Sequence, residues 1–239
     1  GFSDDGLCWT PVAELLAAAY DVIMVDARGH GRSEGPEAGY GQVEQAADLA
    51  GVITGLGLQR PPVLGHSMGA VTALALAGTY PTLPGAILLE DPPAWWFTDP
   101  AAPPPNRGGR FGEWIVNLKR KTREEMIADQ HAQSPNWSEG ELGPWADSKV
   151  RLSFYVLNRG NVAPIDWPAM VQQITCPTLL ITADPALGAI VTDAGAAALQ
   201  QLVPQTQVAH IPGAGHSIRR EQFDRYMAVI RAFLAEHGR

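Results

Sequence analysis

The sequence predicts an α/β fold: a mostly parallel sheet flanked by helices, with a helical cap inserted into the chain. Three observations predict it. Short apolar segments alternate with helical patterns of about 10–15 residues, the alternation breaks once between Asp91 and Cys176, and this interruption is rich in proline and tryptophan. Strand connections of that length run as right-handed crossovers, which make neighbouring strands parallel and cover both faces of the sheet.

The composition is that of a chain that folds around a substantial core. Of the 239 residues, 46% are hydrophobic and 18% are charged, and the formal net charge is −8. This composition excludes an intrinsically disordered chain, which would have a lower hydrophobic content. The basic residues at 119–123 are followed at once by two glutamates, so we expect no nucleic-acid partner.

The two cysteines and the lengths of the apolar segments indicate where in the cell the protein is found. Cys8 and Cys176 lie far apart and fit neither a metal site nor a disulfide framework, so we expect two buried thiols. No apolar stretch approaches the ~20 residues that cross a bilayer. We therefore expect a soluble, cytoplasmic protein with no membrane partner. The oligomeric state stays open.

Each predicted strand is a short apolar segment, and the predicted helices repeat apolar residues at spacings of three and four. The predicted strands are 21–26, 61–64, 85–89, 177–182 and 207–211. The predicted helices are 9–20, 43–56, 68–80, 192–202 and 220–236. Thr10 and Pro11 favour a helix start at that point. The strand at 21–26 runs into a glycine turn at 27–33, which we interpret as structural.

The segment 92–170 is too long to be a loop without structure of its own. It is Pro-rich at first and then helical in patches. We predict that it forms a helical cap over the strand ends, inserted into a core made of residues 1–91 and 171–239.

The strongest local motif is Gly65-His66-Ser67-Met68-Gly69, between a predicted strand and a predicted helix. A serine at such a turn sits in strained backbone geometry with its hydroxyl exposed above the sheet. The N–H of Met68 lies at a helix N-terminus, where it can donate to a developing oxyanion. We interpret Ser67 as a nucleophile, with a structural turn as the alternative.

A serine hydroxyl needs a base at neutral pH. His216 follows the last predicted strand and precedes the last helix, which places it at the same sheet edge as Ser67. We predict that His216 is this base. The remaining histidines are interpreted as structural or surface residues: His30, His66, His131, His210 and His237.

The third member of such a site is a carboxylate that orients the imidazole. Asp184 follows the predicted strand that ends at Thr182, and the chain order Ser, Asp, His is the one found in hydrolases with a nucleophile elbow. We predict Asp184. Its rivals are Asp91 or Glu90, at the end of the preceding strand, and Asp193, which is better suited to cap a helix.

Together these motifs make the chain resemble an α/β-hydrolase of the capped esterase and perhydrolase type, over nearly its whole length. The resemblance rests on residues 1–9, 26–33, 65–69, 176–181 and 215–216. The elbow and the Gly-His pair are specific in combination. In this family the aspartate of the triad stands in a G-x-x-D pattern after the strand. Here Asp184 stands closer to the end of the strand, in Ala183-Asp184-Pro185.

The resemblance also concerns the start of the chain. In this family a His-Gly-x oxyanion loop follows the third strand, and this chain begins Gly1-Phe2. The family places that strand inside the sheet, and a sheet that lacked it would have unpaired backbone groups. We therefore expect residues upstream of Gly1 that end in an apolar strand and a histidine. The resemblance implies that the N–H groups of Phe2 and Met68 form the oxyanion hole.

Trp95 and Trp96 follow a predicted strand and begin the cap. This places them at the rim of the expected site. We predict that they bind substrate, with packing at a hinge as the alternative.

The expected activity is hydrolysis of a carboxylic ester of a small or medium, mainly apolar substrate through an acyl-enzyme. It requires no metal and no organic cofactor. The same triad would serve a lactonase, a C–C bond hydrolase or a cofactor-free perhydrolase. A non-catalytic ligand receptor on the same fold is the alternative from a different class.

Overall fold

The computed structural model describes residues 1–97, 108–158 and 164–238. They divide into two compact units. The first unit comprises residues 1–2, 41–97 and 164–238, and the second comprises residues 3–40 and 108–158.

This division differs from the predicted boundaries in two respects. Residues 92–97 and 164–170, which we expected in the cap, group with the sheet. Residues 3–40, which we expected in the core, group with residues 108–158. A break in the alternation of strands and helices marks an insertion, but it does not reveal which other segments pack with it. A cap made of 92–170 therefore stays a proposal.

The first unit contains a four-stranded parallel sheet, which confirms the predicted fold class. Its strands are β1 (Pro62–His66), β2 (Ala86–Glu90), β3 (Thr178–Thr182) and β4 (Thr206–His210), in the order β1-β2-β3-β4. Every residue of β2 and β3 is buried, as continuous apolar strands require when both faces are covered. Because the strands are parallel, their carboxyl ends share one edge.

Ten α-helices lie in the described residues. They are α1 (Thr10–Leu16), α2 (Gln42–Gly55), α3 (Met68–Thr79), α4 (Gly108–Leu118), α5 (Arg123–Gln133), α6 (Glu139–Arg151), α7 (Trp167–Val171), α8 (Asp193–Leu202), α9 (Ile218–Glu221) and α10 (Phe223–His237). Short 3₁₀ helices are found at Gly6–Trp9, Trp95–Phe97, Phe154–Leu157 and Pro185–Leu187.

The core of the first unit surrounds α3. This helix is buried from Ala70 to Gly78 and packs against α2, α7, β1 and β2. Small residues allow this approach: a methyl group at Gly78 would lie 2.6 Å from the carbonyl oxygen of Met170. The helix that follows Ser67 is therefore held on several sides, which gives the serine a rigid support.

The second unit has a core of its own between α4, α5 and α6. Its buried members are Leu118, Met126, Trp137, Leu142, Trp145 and Ala146. Trp137 and Trp145 meet edge to face with ring centroids 6.2 Å apart. A capping box between Thr122 and Glu125 fixes the start of α5. These two tryptophans therefore stabilise the fold of this unit.

The prediction of a buried strand at 21–26 is wrong. In the described residues this segment takes part in no strand pairing, and Ile23 and Val25 are 44% and 41% exposed. Apolar β-branched residues favour an extended backbone, but a strand also requires a partner for its N–H and C=O groups. The turn that follows does form, since Gly29 and Gly31 have φ of 73° and 54°.

Three further sequence predictions concern the closing helix, the cysteines and membrane-spanning segments. The predicted closing helix is split at Gln222 into α9 and α10. Cys8 and Cys176 are both buried, as predicted, and burial raises the pKa of the Cys176 thiol to about 11. Among the helices of the described residues, none has the length and apolar character that a bilayer crossing demands.

Candidate active site

Ser67 occupies a strained turn between β1 and α3. Its φ and ψ are 52° and −115°, a region that residues with a Cβ rarely adopt. Its N–H donates to the carbonyl of Glu90 over 2.9 Å. Gly65 is required sterically, because a methyl group there would lie 2.4 Å from the carbonyl carbon of Gly69. The motif therefore fixes the serine at the carboxyl edge of the sheet.

His216 follows β4 and contacts a buried carboxylate. Its Nδ1 lies 2.7 Å from Oδ2 of Asp91, which is 0% exposed. A carboxylate oxygen accepts, so Nδ1 must donate the proton. In the neutral imidazole this leaves Nε2 with its lone pair, and Nε2 is the nitrogen that can take a proton from a hydroxyl.

Asp91 is held by more than the imidazole. It directly follows β2, and its φ of 41° turns the chain at that point. Its carboxylate accepts from the N–H of Ile190 over 2.8 Å and from the N–H of Val191 over 2.9 Å. Three donors from two segments therefore fix both of its oxygens, which leaves the carboxylate little freedom to rotate.

Asp184, the carboxylate predicted for this position, contacts other groups. Its Oδ1 lies 3.0 Å from Nε2 of His210, and its Oδ2 accepts from the N–H of Gly213 over 2.7 Å. The predicted pairing with His216 is therefore corrected to Asp91, one of the rivals weighed from the sequence. The reason is the direction of the side chain, which reaches the backbone of the loop before His216 and not its ring.

His66 joins the elbow to the loop of His216. Its Nε2 donates to the carbonyl of His216 over 2.9 Å, and the two ring centroids lie 4.6 Å apart. Gly1 lies on the other side, since a methyl group there would be 2.8 Å from Nδ1 of His66 and 3.6 Å from Cβ of Ser67. His66 is thus structural, as predicted, and it places the imidazole of His216 beside the elbow.

The two predicted oxyanion donors are the backbone N–H groups of Phe2 and Met68. Met68 is the first residue of α3, where helix N–H groups lack intrahelical partners and attract negative charge. Phe2 follows Gly1, the residue that lies against Ser67. Both therefore belong to segments that adjoin the nucleophile.

The two predicted substrate-binding tryptophans differ in exposure. Trp96 is 4% exposed, and its indole N–H donates to the carbonyl of Gly195 over 2.9 Å. Trp95 is half-buried, with its ring centroid 5.2 Å from that of Trp167. Trp96 thus fills the core of the first unit, and only Trp95 retains appreciable surface for a ligand.

A buried ion pair beside the site was missed in the sequence. Glu90 and Arg219 are both 0% exposed, with the backbone N–H of Arg219 3.0 Å and its guanidinium 3.4 Å from the Glu90 carboxylate. Glu90 precedes Asp91, and Arg219 lies three positions after His216. The pair therefore ties the two segments together. An acidic residue that ends an otherwise apolar strand was the signal for it.

The described residues hold no group of three or more His, Cys, Asp or Glu side chains arranged to bind a metal ion. The chemistry of the site is that of a hydroxyl, an imidazole and a buried carboxylate at one sheet edge, the constellation used for nucleophilic catalysis.

The sequence is similar to a known family and to a protein of known activity. The sequence pattern of a family described as the alpha/beta hydrolase family matches residues 1–229. The chain is 29% identical over 237 residues to an N-formylmaleamate deformylase from Pseudomonas putida, covering 98% of this chain and 86% of the relative.

Two solved structures are similar over nearly the whole chain. One is an N-formylmaleamic acid deformylase from Pseudomonas putida S16, with a TM-score of 0.80, 25% identity and coverage of 96% of this chain and 88% of the other. The second is a thermophilic esterase from Thermogutta terrifontis, with a TM-score of 0.74, 25% identity and coverage of 100% and 88%.

Proposed function

Because the chain belongs to the alpha/beta hydrolase family and is an enzyme of that family, we propose that it is a serine hydrolase whose triad is Ser67, His216 and Asp91. The observation that carries the proposal is the 2.7 Å contact between His216 and the buried Asp91, beside the strained turn of Ser67. The contact defines the tautomer of a base whose ring lies 4.6 Å from that of His66, the residue before Ser67.

The proposed reaction transfers an acyl group from a carboxylic acid derivative to water. Nε2 of His216 accepts the proton of Ser67 while Oγ attacks the carbonyl carbon. The N–H groups of Phe2 and Met68 stabilise the oxyanion of the tetrahedral intermediate. His216 then gives the proton to the leaving group, which departs and leaves an acyl-enzyme on Ser67.

The second half regenerates the enzyme. His216 takes a proton from a water molecule, the hydroxide attacks the acyl carbon, and the proton returns to Ser67 as the acid leaves. Asp91 accepts from Nδ1 throughout and offsets the charge of the imidazolium in both halves. Because Asp91 is fully buried and held by backbone N–H groups, it needs no reorganisation when that charge appears.

We propose a carboxylic ester of a small or medium, mainly apolar compound as the substrate, with a lactone, an activated C–C bond or perhydrolysis as alternatives for the same triad. The similarity to a thermophilic esterase supports the ester. The similarity to two deformylases favours a second candidate, the C–N bond of an acylated amine. The two candidates share the acyl-enzyme and differ in the leaving group.

A fluorophosphonate probe tests the nucleophile, because it reacts with a serine activated by a base. We expect rapid labelling of the protein and none of Ser67→Ala. A panel of esters, lactones and amides matched in the acyl group then identifies the leaving group. Labelling that persists in Ser67→Ala would overturn the assignment. Tight binding of panel compounds without turnover or labelling would favour a ligand receptor.

A further inference from the structure

The loop that carries His216 is held on both sides of the histidine by one carboxylate. Oε2 of Glu221 accepts from the N–H of Gly215 over 2.6 Å, and Oε1 accepts from the N–H of Ser217 over 3.2 Å. We propose that Glu221 is a positioning residue, which sets the imidazole of His216 through the backbone on either side of it. This inference rests on the proposed function.

The opposite side of the loop is fixed by the turn after β3. The N–H of Asp184 donates to the carbonyl of Ala214 over 2.9 Å, and its carboxylate accepts from the N–H of Gly213. A methyl group at Gly215 would lie 2.3 Å from the carbonyl oxygen of Leu187. The loop can therefore shift neither toward that turn, because of this contact, nor away from it without breaking these bonds.

Glu221 thus holds the two residues that flank the histidine. It lies at the end of α9, five positions after His216, and its own N–H donates to the carbonyl of Ser217 over 3.1 Å. The short helix folds the carboxylate back over the loop. Together with the bond from His66 to the carbonyl of His216, this fixes the main chain before, at and after the imidazole.

The chemistry of the clamp requires a carboxylate. Both N–H groups point at acceptors, and a carboxylate offers two equivalent oxygens whose negative charge strengthens hydrogen bonds from backbone N–H groups. A glutamine in its place would offer one oxygen and one NH₂ group. One of the two backbone donors would then face another donor, so Glu221→Gln should disturb the loop although its size is unchanged.

The decisive comparison is between Glu221→Gln and Glu236→Gln, the same chemical change at an exposed site in α10. Misplacing a catalytic group by about 1 Å can cost ~100-fold. We expect Glu221→Gln to lower kcat and the fluorophosphonate labelling rate by about 10- to 100-fold with little change in KM. The downfield proton resonance of His216 Nδ1–H should shift or broaden. Glu236→Gln should leave all three unchanged.

A merely structural cap of α9 would lower the unfolding midpoint of Glu221→Gln but would leave the resonance and the labelling rate as they are. That result would overturn the proposal while the function of Ser67 stands. If the unchanged protein shows neither labelling nor turnover, the proposed function fails instead.

A measurement on the unchanged protein keeps the inference testable even if the variant does not fold. The amides of Gly215 and Ser217 should exchange with solvent slowly, because both are bonded to Glu221. Exchange at the rate of exposed loop amides would show that the clamp does not persist and would overturn the proposal.

Discussion

The ends of β2 and β3 lie side by side, and each is followed by an aspartate that reaches the loop of His216. Asp91 has a fully buried side chain and contacts the imidazole, whereas the side chain of Asp184 is 33% exposed and contacts the backbone of Gly213. Both carboxylates therefore support one histidine in different ways. A position directly after a strand at this edge of the sheet therefore does not by itself determine which aspartate contacts the imidazole of His216.

Backbone conformation separates the two positions. Asp91 has φ of 41° and still donates its N–H to the carbonyl of Ile181, so its chain turns while it remains attached to the sheet. Asp184 is extended, with φ of −78° and ψ of 114°, and opens the 3₁₀ helix Pro185–Leu187. We infer that the strained turn directs the Asp91 carboxylate inward, toward the imidazole.

The largest effect should come from Asp91→Asn. The oxygen of the amide would accept from the N–H groups of Ile190 and Val191, so its NH₂ group would face Nδ1. This favours the tautomer with the proton on Nε2, which is then no longer available as the base. We expect kcat to fall by about 10⁴-fold, as in triads whose aspartate is replaced by asparagine. The measurement is kcat on the best ester or amide of the panel, with circular dichroism to establish that the variant is folded. A loss below tenfold would refute the assignment of Asp91.

How far the sequence predicts this arrangement depends on the residue. Ser67 and His216 could be placed at one edge because a motif and the order of strands determine where they lie. The choice of Asp184 over Asp91 was wrong, since the pairing depends on a positive φ and on the position of two N–H groups 99 and 100 residues away. Local sequence carries no information on such distant donors.

The same limit explains the segment 21–26. Its apolar, β-branched residues predict a strand, and this expectation failed because pairing is a property of the neighbours of a strand and not of its own residues. The parallel sheet was predictable, by contrast, because the lengths of the connections restrict how β1 to β4 can be joined. Order along the chain predicts topology better than it predicts contacts.

The second unit contains a buried histidine, His30, whose ring contacts backbone groups. His30 in the second unit accepts from the N–H of Ser3 at Nε2 and contacts the carbonyl of Arg28 at Nδ1. Burial lowers the pKa of His30 to about 4 from its usual 6.5. The His30 imidazole is therefore kept neutral at pH 7.

Acid should therefore destabilise the protein through His30. Its folded pKa lies below the unfolded value, so the unfolded state binds the proton more readily, and stability is lost as pH falls from about 6.5 toward 4. The expected loss is on the order of 3 kcal/mol. Urea unfolding at pH 7 and pH 4 measures it. His30→Gln, which cannot titrate, should lose less between these pH values; an equal loss would assign the effect to other groups.

The smallest effect should come from Asp184→Asn, which tests whether Asp184 contributes less to activity than Asp91. Asparagine retains an oxygen that can accept from Gly213, and its NH₂ group can donate to Nε2 of His210, whose Nδ1 faces the hydroxyl of Thr182. The loop should therefore keep its position, and kcat should stay within about tenfold, a change below ~1.4 kcal/mol in the barrier. Asp184→Ala, which removes both contacts, should cost more than the asparagine. If Asp184→Asn instead lost activity as far as Asp91→Asn, the orientation of His216 would depend on both carboxylates, and the division of labour between the two strand ends would be wrong.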